Sequence, residues 1–250
     1  MKEIAVATGN QNLFTKNNVL YARGENGACT ALVYYGEASH VILTDGCRGI
    51  QGEAFAGTNV VEVAMPGSVS VLGEQVFCGC NALRRIHFFL SEQENGKHRP
   101  VSVYLPTVES EEFYYGNSLR EQYMDCIRSG SGDRVFDFEK YDSLFESIEK
   151  DYDKVLVATD RLKSPVKLME TYSDNYSRFL RSNKDRAVRV LIREDDAAGL
   201  ALMASYGGLR PENMDTLIHM ANQNKKTNAQ LFLMNYKNTM IGFDFSAFEL

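Results

Sequence analysis

The chain has 250 residues, 44% of them hydrophobic and 24% charged, with a formal net charge of −6. That apolar content can bury a core. Neither part of the chain carries the basic excess that phosphate binding by counterion release requires, because residues 1 to 106 hold 8 basic and 9 acidic side chains and the remainder 19 and 24.

Nucleic acid is therefore not an expected partner. No run of about 18 apolar residues is present to span a membrane. The N-terminal MKEIAVATGNQN lacks the apolar stretch of a signal peptide. Five cysteines, an odd number, argue against a complete disulfide framework. The expected address is cytoplasmic, or the surface or exterior if an export signal precedes this sequence.

Twelve of the 19 glycines fall before residue 107, as strands and tight turns require, whereas the later part is rich in Leu, Met, Ala, Asp, Lys and Tyr at helical spacing. The expected fold class is α+β, with a β-rich region over 1–106 and an α-helical region over 107–250. Ile4 and Val6 read as one face of a short first strand. Val19 to Ala22 and Thr30 to Tyr35 flank a glycine-containing loop and read as a β-hairpin. Strands are expected near 41–43, 63–65 and 86–88, each separated by a return segment. A last strand is expected at 101–106, ending at Pro106.

A short helix is expected near 118–128, followed by the polar turn SGSGD as a flexible point. Leu144, Phe145 and Ile148 suggest one helix, and Val155, Leu156, Ala158 and Leu162 a second. Ser164 as N-cap with Pro165 at the first helical position predicts a third, carrying Val166, Met169, Tyr172, Tyr176 and Phe179 on one face. Residues 187–208 and 211–237 then form two helix pairs, the first closed by Gly207-Gly208. Phe243 and Phe245 in the tail MIGFDFSAFEL alternate and are expected to pack back.

Ile50, Ala54, Phe55 and Gly57 reappear, all at one constant shift, as Leu72, Val76, Phe77 and Gly79. The shift falls in the leucine-rich-repeat range and predicts that Phe55 and Phe77 stack in adjacent laps. In this stretch Met65, Pro66, Val69, Leu72, Gly73, Val76, Phe77, Cys80, Leu83 and Ile86 match the unit of the BspA-type bacterial leucine-rich repeats nearly position for position. The lap before it matches at Leu43, Asp45, Gly46, Ile50, Ala54 and Phe55, with Thr44 in place of the usual proline. The chain thus resembles that family over roughly two fifths of its length, and the resemblance implies a β-rich solenoid. The two C-terminal helix pairs resemble ankyrin-type hairpins, although the T-P-L-H signature is absent.

The residues that suggest chemistry have structural readings. Cys78, Cys80 and His87 include zinc-ligand types, but no second ligand pair exists, Cys80 falls where the repeat buries a cysteine, and His87 alternates away from Ile86 and Phe88. Asp195-Asp196 reads as helix-capping acids rather than a carboxylate pair for acid–base work. Nucleophile-elbow, zincin, phosphate-loop and dinucleotide motifs are missing. Neither a metal nor a cofactor is expected.

The reading is therefore a non-catalytic interaction module with a protein or peptide partner. Two alternatives are an enzyme or ligand-responsive regulator with its site where the two regions join, and a surface-adhesion or carbohydrate-binding element. Strand alternation buries Val41, Leu43, Val63, Met65, Ile86 and Phe88, and turns Ile42, Ala64, Arg85, His87 and Phe89 outward as the expected partner-binding set.

Overall fold

The computed structural model describes residues 3–91, 98–106, 118–127, 130–131 and 136–241. The chain is α+β and divides into two compact units, one formed by Met1–Glu149 with Val166–Leu168 and the other by Lys150–Pro165 with Met169–Leu250. The expected boundary at 106/107 falls inside the first unit.

The first unit opens with an antiparallel meander, β1 (Leu13–Lys16), β2 (Val19–Arg23) and β3 (Cys29–Tyr34). Residues 4–6 alternate in exposure as expected but have no strand to pair with, so the strand proposed there is absent. Asn17 and Asn18, both at positive φ (52° and 59°), make the β1–β2 turn. The Asn17 amide donates to the Ile42 carbonyl at 2.9 Å, covering the open edge of the next sheet.

That sheet is built from β4 (His40–Ile42), β6 (Glu62–Met65) and β8 (Arg85–Ser91), parallel to one another, with β9 (His98–Tyr104) antiparallel on β8. His40 lies opposite Glu62 and Glu62 opposite Arg85, so the second step along the chain exceeds the first by a single residue. The return segments also pair. β5 (Cys47–Ile50) and β7 (Val71–Leu72) extend the meander in parallel, and β10 (Gly130–Ser131) closes β7 antiparallel. Each lap thus supplies two short strands where the sequence suggested one. The residues of SGSGD other than Gly130 and Ser131 lie outside the described residues.

Between the two sheets the laps join through a ladder of turn hydrogen bonds. Glu53, Phe55 and Gly57 donate to the carbonyls of Glu74, Val76 and Cys78 at 3.1, 3.0 and 2.8 Å. The backbones approach so closely that a Cβ on Gly73 would stand 2.2 Å from the Gly52 nitrogen. Phe55 stacks on Tyr34 (5.4 Å between ring centres) and meets Phe77 at 5.3 Å with the planes tilted by 39°. Val41, Leu43, Val63, Met65, Ile86 and Phe88 are all buried, as the alternation predicts.

The described residues between 118 and 149 belong to this unit because they pack on the strands. α1 (Leu119–Met124) starts at a Ser118–Glu121 capping box. It carries the buried Arg120, whose guanidinium donates to the carbonyls of Pro106 (2.9 Å), Cys80 (3.0 Å) and Leu83 (2.6 Å). α2 (Phe138–Ser143) is followed by a 3-10 turn at Phe145–Ser147, in place of one helix through Ile148. Tyr141 of α2 donates to the Tyr104 carbonyl at 2.6 Å, and Phe136 sits 5.2 Å from Phe88.

In the second unit α3 (Asp151–Lys163) ends at Ser164, whose N–H bonds back to Asp160 and Arg161. Ser164 and Pro165 therefore stop a helix rather than start one. Lys167 takes a positive φ of 49°, and α4 (Glu170–Ser182) begins later than the sequence suggested. α5 (Lys184–Arg193) with α6 (Ala197–Ser205), and α7 (Pro211–Gln223) with α8 (Thr227–Ile241), form the two expected hairpins. Gly207 at φ 71° and Pro211 at the start of α7 act as predicted. Phe243 and Phe245 lie outside the described residues.

The two hairpin turns are copies of each other. Asp196 N–H bonds to the Leu191 carbonyl and Lys226 N–H to the Ala221 carbonyl, and Asp195 and Lys225 share a φ of 57°. Asp196 caps α6 through the Gly199 N–H at 2.8 Å. Lys226, at the same position before α8, has no acceptor to offer. Asp195 reaches over from the first turn and accepts from the Ala229 N–H, also at 2.8 Å. Asp195→Ala should therefore cost the second unit about 1 kcal/mol in denaturant unfolding. Adding Lys226→Asp, which gives α8 its own cap, should restore most of the loss, and a double variant no better than the single would refute the borrowed cap.

Candidate interaction face

Strand register decides which side chains share a surface. His40, Glu62 and Arg85 form one row across β4, β6 and β8, and Ile42, Ala64 and His87 form the next, two residues along. Val41, Val63 and Ile86 between the rows point into the core. Four of the five expected residues thus share the outward face. Ile42 is 64% exposed, while Ala64, Arg85 and His87 are half-buried. Phe89 continues on β8 opposite Pro100, and its side chain lies outside those described.

The face is organised by a residue absent from the expected set. One carboxylate oxygen of Glu62 stands 3.4 Å from His40 Nε2 and 3.5 Å from His87 Nε2, and the other 3.8 Å from the Arg85 guanidinium. The far nitrogen of each imidazole is held by a serine, His87 Nδ1 by Ser102 at 2.7 Å and His40 Nδ1 by Ser39 at 2.8 Å. Arg85 also lies over the Tyr104 ring, 5.4 Å from its centre. The His87 imidazole, ahead of Arg85 and His40, holds the Glu62 carboxyl below the usual carboxylate range against the opposing effect of burial. His40 and Glu62 have the same strand parity as Ile42 and Ala64, so their places on this face were available from the alternation; their convergence required the register.

Ser102, His87 and Glu62 make a serine–histidine–acid chain, but connectivity alone is not catalysis. The inner strands of this sheet, β6 and β8, are paired on both sides. Among the described residues no group of three or more His, Cys, Asp or Glu side chains is arranged to hold a metal ion. Cys80 is buried and donates to the Phe55 carbonyl at 2.9 Å, whereas Cys78 is exposed. Asp195 and Asp196 are spent on helix caps. No described helix is long and apolar enough to cross a membrane.

Neither the protein-family models nor the curated proteins include a match to this chain. Among solved structures it is similar to a leucine-rich repeat protein from Bacteroides capillosus, at 22% identity and a TM-score of 0.28 over 30% of this chain and 64% of that one. It is also similar to a leucine rich cell surface protein from Faecalibacterium prausnitzii, at 19% identity and a TM-score of 0.27 over 36% of this chain and 25% of that one. The chain thus spans less than two thirds of the length of either.

Because the folded Glu62 carboxyl titrates below its unfolded value of about 4.3, its contribution is present above that pH and is lost as pH falls through the folded value. Glu62→Gln is therefore expected to lower stability by about 1 kcal/mol at neutral pH. The gap from wild type should close in denaturation curves recorded below the carboxylate range. A gap unchanged in acid would assign the effect to something other than the charge.

Proposed function

We propose that this chain is a non-catalytic interaction module: a BspA-type leucine-rich-repeat solenoid over about 1–106, capped by the residues packed on its last strands, and followed by helix hairpins of ankyrin-like form. The outward face of the strand ladder, comprising Ile42, Ala64, Arg85, His87 and Phe89, meets a protein or peptide partner. Phe89 is assigned to it by strand parity alone. The observation that carries the reading is Ile42, a large apolar side chain 64% exposed beside a fixed cluster of charged and polar groups. A strand face made only to meet water would carry Thr, Lys or Glu there, whereas exposed apolar and arginine side chains are common binding anchors.

Affinity capture from lysate of the source organism, run in parallel with wild type, Ile42→Asp and Arg85→Ala, tests this. Proteins retained by wild type should be lost with both variants while the melting temperature of Ile42→Asp is unchanged. Retention of the same proteins by both variants removes the face from consideration.

A reducing compartment is part of the proposal, supported by five free cysteines, four of them buried. Burial pushes the Cys47 thiol up to about 11 and raises that of Cys29, its partner in strand register. Protein isolated from its source without reductant should show fast labelling at Cys78 and five thiols after unfolding. Three thiols after unfolding would reveal a disulfide, with Cys29–Cys47 the first pair to examine, and would put the chain in an oxidising compartment.

A further inference from the structure

The turn ladder between the two sheets ends on an unfilled row. Glu53, Phe55 and Gly57 each donate to a carbonyl of the next lap. One repeat further on, the corresponding donors are the N–H groups of Gln75, Phe77 and Gly79. The backbone is the same there, with Gln75 at φ 52° against 60° for Glu53 and Gly79 at 69° against 67° for Gly57. Among the described residues none accepts a hydrogen bond from these three groups.

The edge on either side of this row is covered. β9 runs along β8, β10 pairs with β7, and Arg120 takes the carbonyls of Cys80 and Leu83. What the described residues leave open is the stretch from Glu74 to Gly79. It lines a groove of about 920 Å³ whose other lining includes Met124, Ile127, Asp125 and Lys140.

We propose that this groove docks a polypeptide segment of another protein folded in consecutive turns, as Glu74–Gly79 is against the preceding lap, and held by main-chain carbonyls that accept from Gln75, Phe77 and Gly79. The occupant follows from continuity. In the preceding step of the ladder the equivalent three donors are met by carbonyls of three alternate residues of a turn segment, so the row is spaced for a turning chain and does not converge on a single anion. Side chains add little selection. Acidic and basic groups both line the groove, and Phe77, the last ring of the aromatic stack, is already buried. Recognition therefore falls on backbone, as it does between the turns of consecutive laps. The surface is separate from the strand face, and the failure of one proposal leaves the other standing.

The test uses the full chain, labelled with nitrogen-15, and a synthetic peptide of its own residues 71–80 with serine at both cysteines, the sequence that fills the equivalent row one lap earlier. At millimolar peptide the amides of Gln75, Phe77 and Gly79 should shift, and their hydrogen exchange should slow by about tenfold or more. A bulky maleimide on the exposed Cys78, whose four fellow cysteines are buried, should abolish both effects. Three results each overturn the proposal. They are amides already protected without peptide, which would mean the chain fills the row itself; peptide binding that leaves these amides unprotected or survives the Cys78 adduct; and no binding at millimolar concentration.

Discussion

The first unit depends on how closely two backbones approach. Gly52 and Gly73 leave no room for a side chain between consecutive laps, since a Cβ on Gly73 would be 2.2 Å from the Gly52 nitrogen. That approach lets each turn donate directly to the carbonyls of the next. Individually such bonds contribute about 0.5–1.5 kcal/mol net, but together they fix the register. Once Phe55 N–H is bonded to the Val76 carbonyl, Phe55 and Phe77 are placed in contact, and the strands on either side must pair in parallel at the same step. The identity of the outward side chains follows from a constraint on the opposite side of the lap.

An array built this way leaves main-chain groups unmatched at both ends, and the two ends use different chemistry. At the start, the Asn17 side chain supplies a donor to Ile42, from a turn whose positive φ values asparagine tolerates. At the finish, one buried arginine meets the carbonyls of Cys80, Leu83 and Pro106. A guanidinium has five N–H donors in a fixed fork, whereas a lysine ammonium would have to meet the same carbonyls from a single point. The Tyr141 hydroxyl adds a further donor at the Tyr104 carbonyl. These contacts explain why residues 118–148 belong with the strands despite their helical content.

Alternation made the legible part of the fold legible. Val41, Val63 and Ile86 have an apolar pattern that only one face can accept, so both the strands and their buried sides could be read directly. The return strands that extend the first meander were not legible, because Cys47–Ile50 and Val71–Leu72 are too short to show a period and acquire strand character only by pairing with a neighbouring lap. Pro165 misled for a different reason: proline suits the first turn of a helix and also the residues just past a helix end, and the sequence around Ser164 satisfies both patterns. Asp195 was read correctly as a capping acid. That it caps the helix of the other hairpin follows from stacking of the two turns, which no local pattern encodes.

The candidate face shows the same division. Parity placed Ile42, Ala64, Arg85 and His87 on one side, but the group that gives the face its character is Glu62, which no motif marks. A lone glutamate on a strand is ordinarily solvated. Here the nearly constant step between laps brings three basic side chains around it. The consequence for the proposed function is entropic. Arg85 is held between Glu62 and the Tyr104 ring, and each histidine between Glu62 and a serine, so these side chains have less rotamer freedom left to lose when a partner arrives. Ile42 then provides the apolar surface to be buried, with the polar groups beside it already oriented. An interface hot spot has the same anatomy, an apolar anchor bordered by groups whose geometry is fixed before contact.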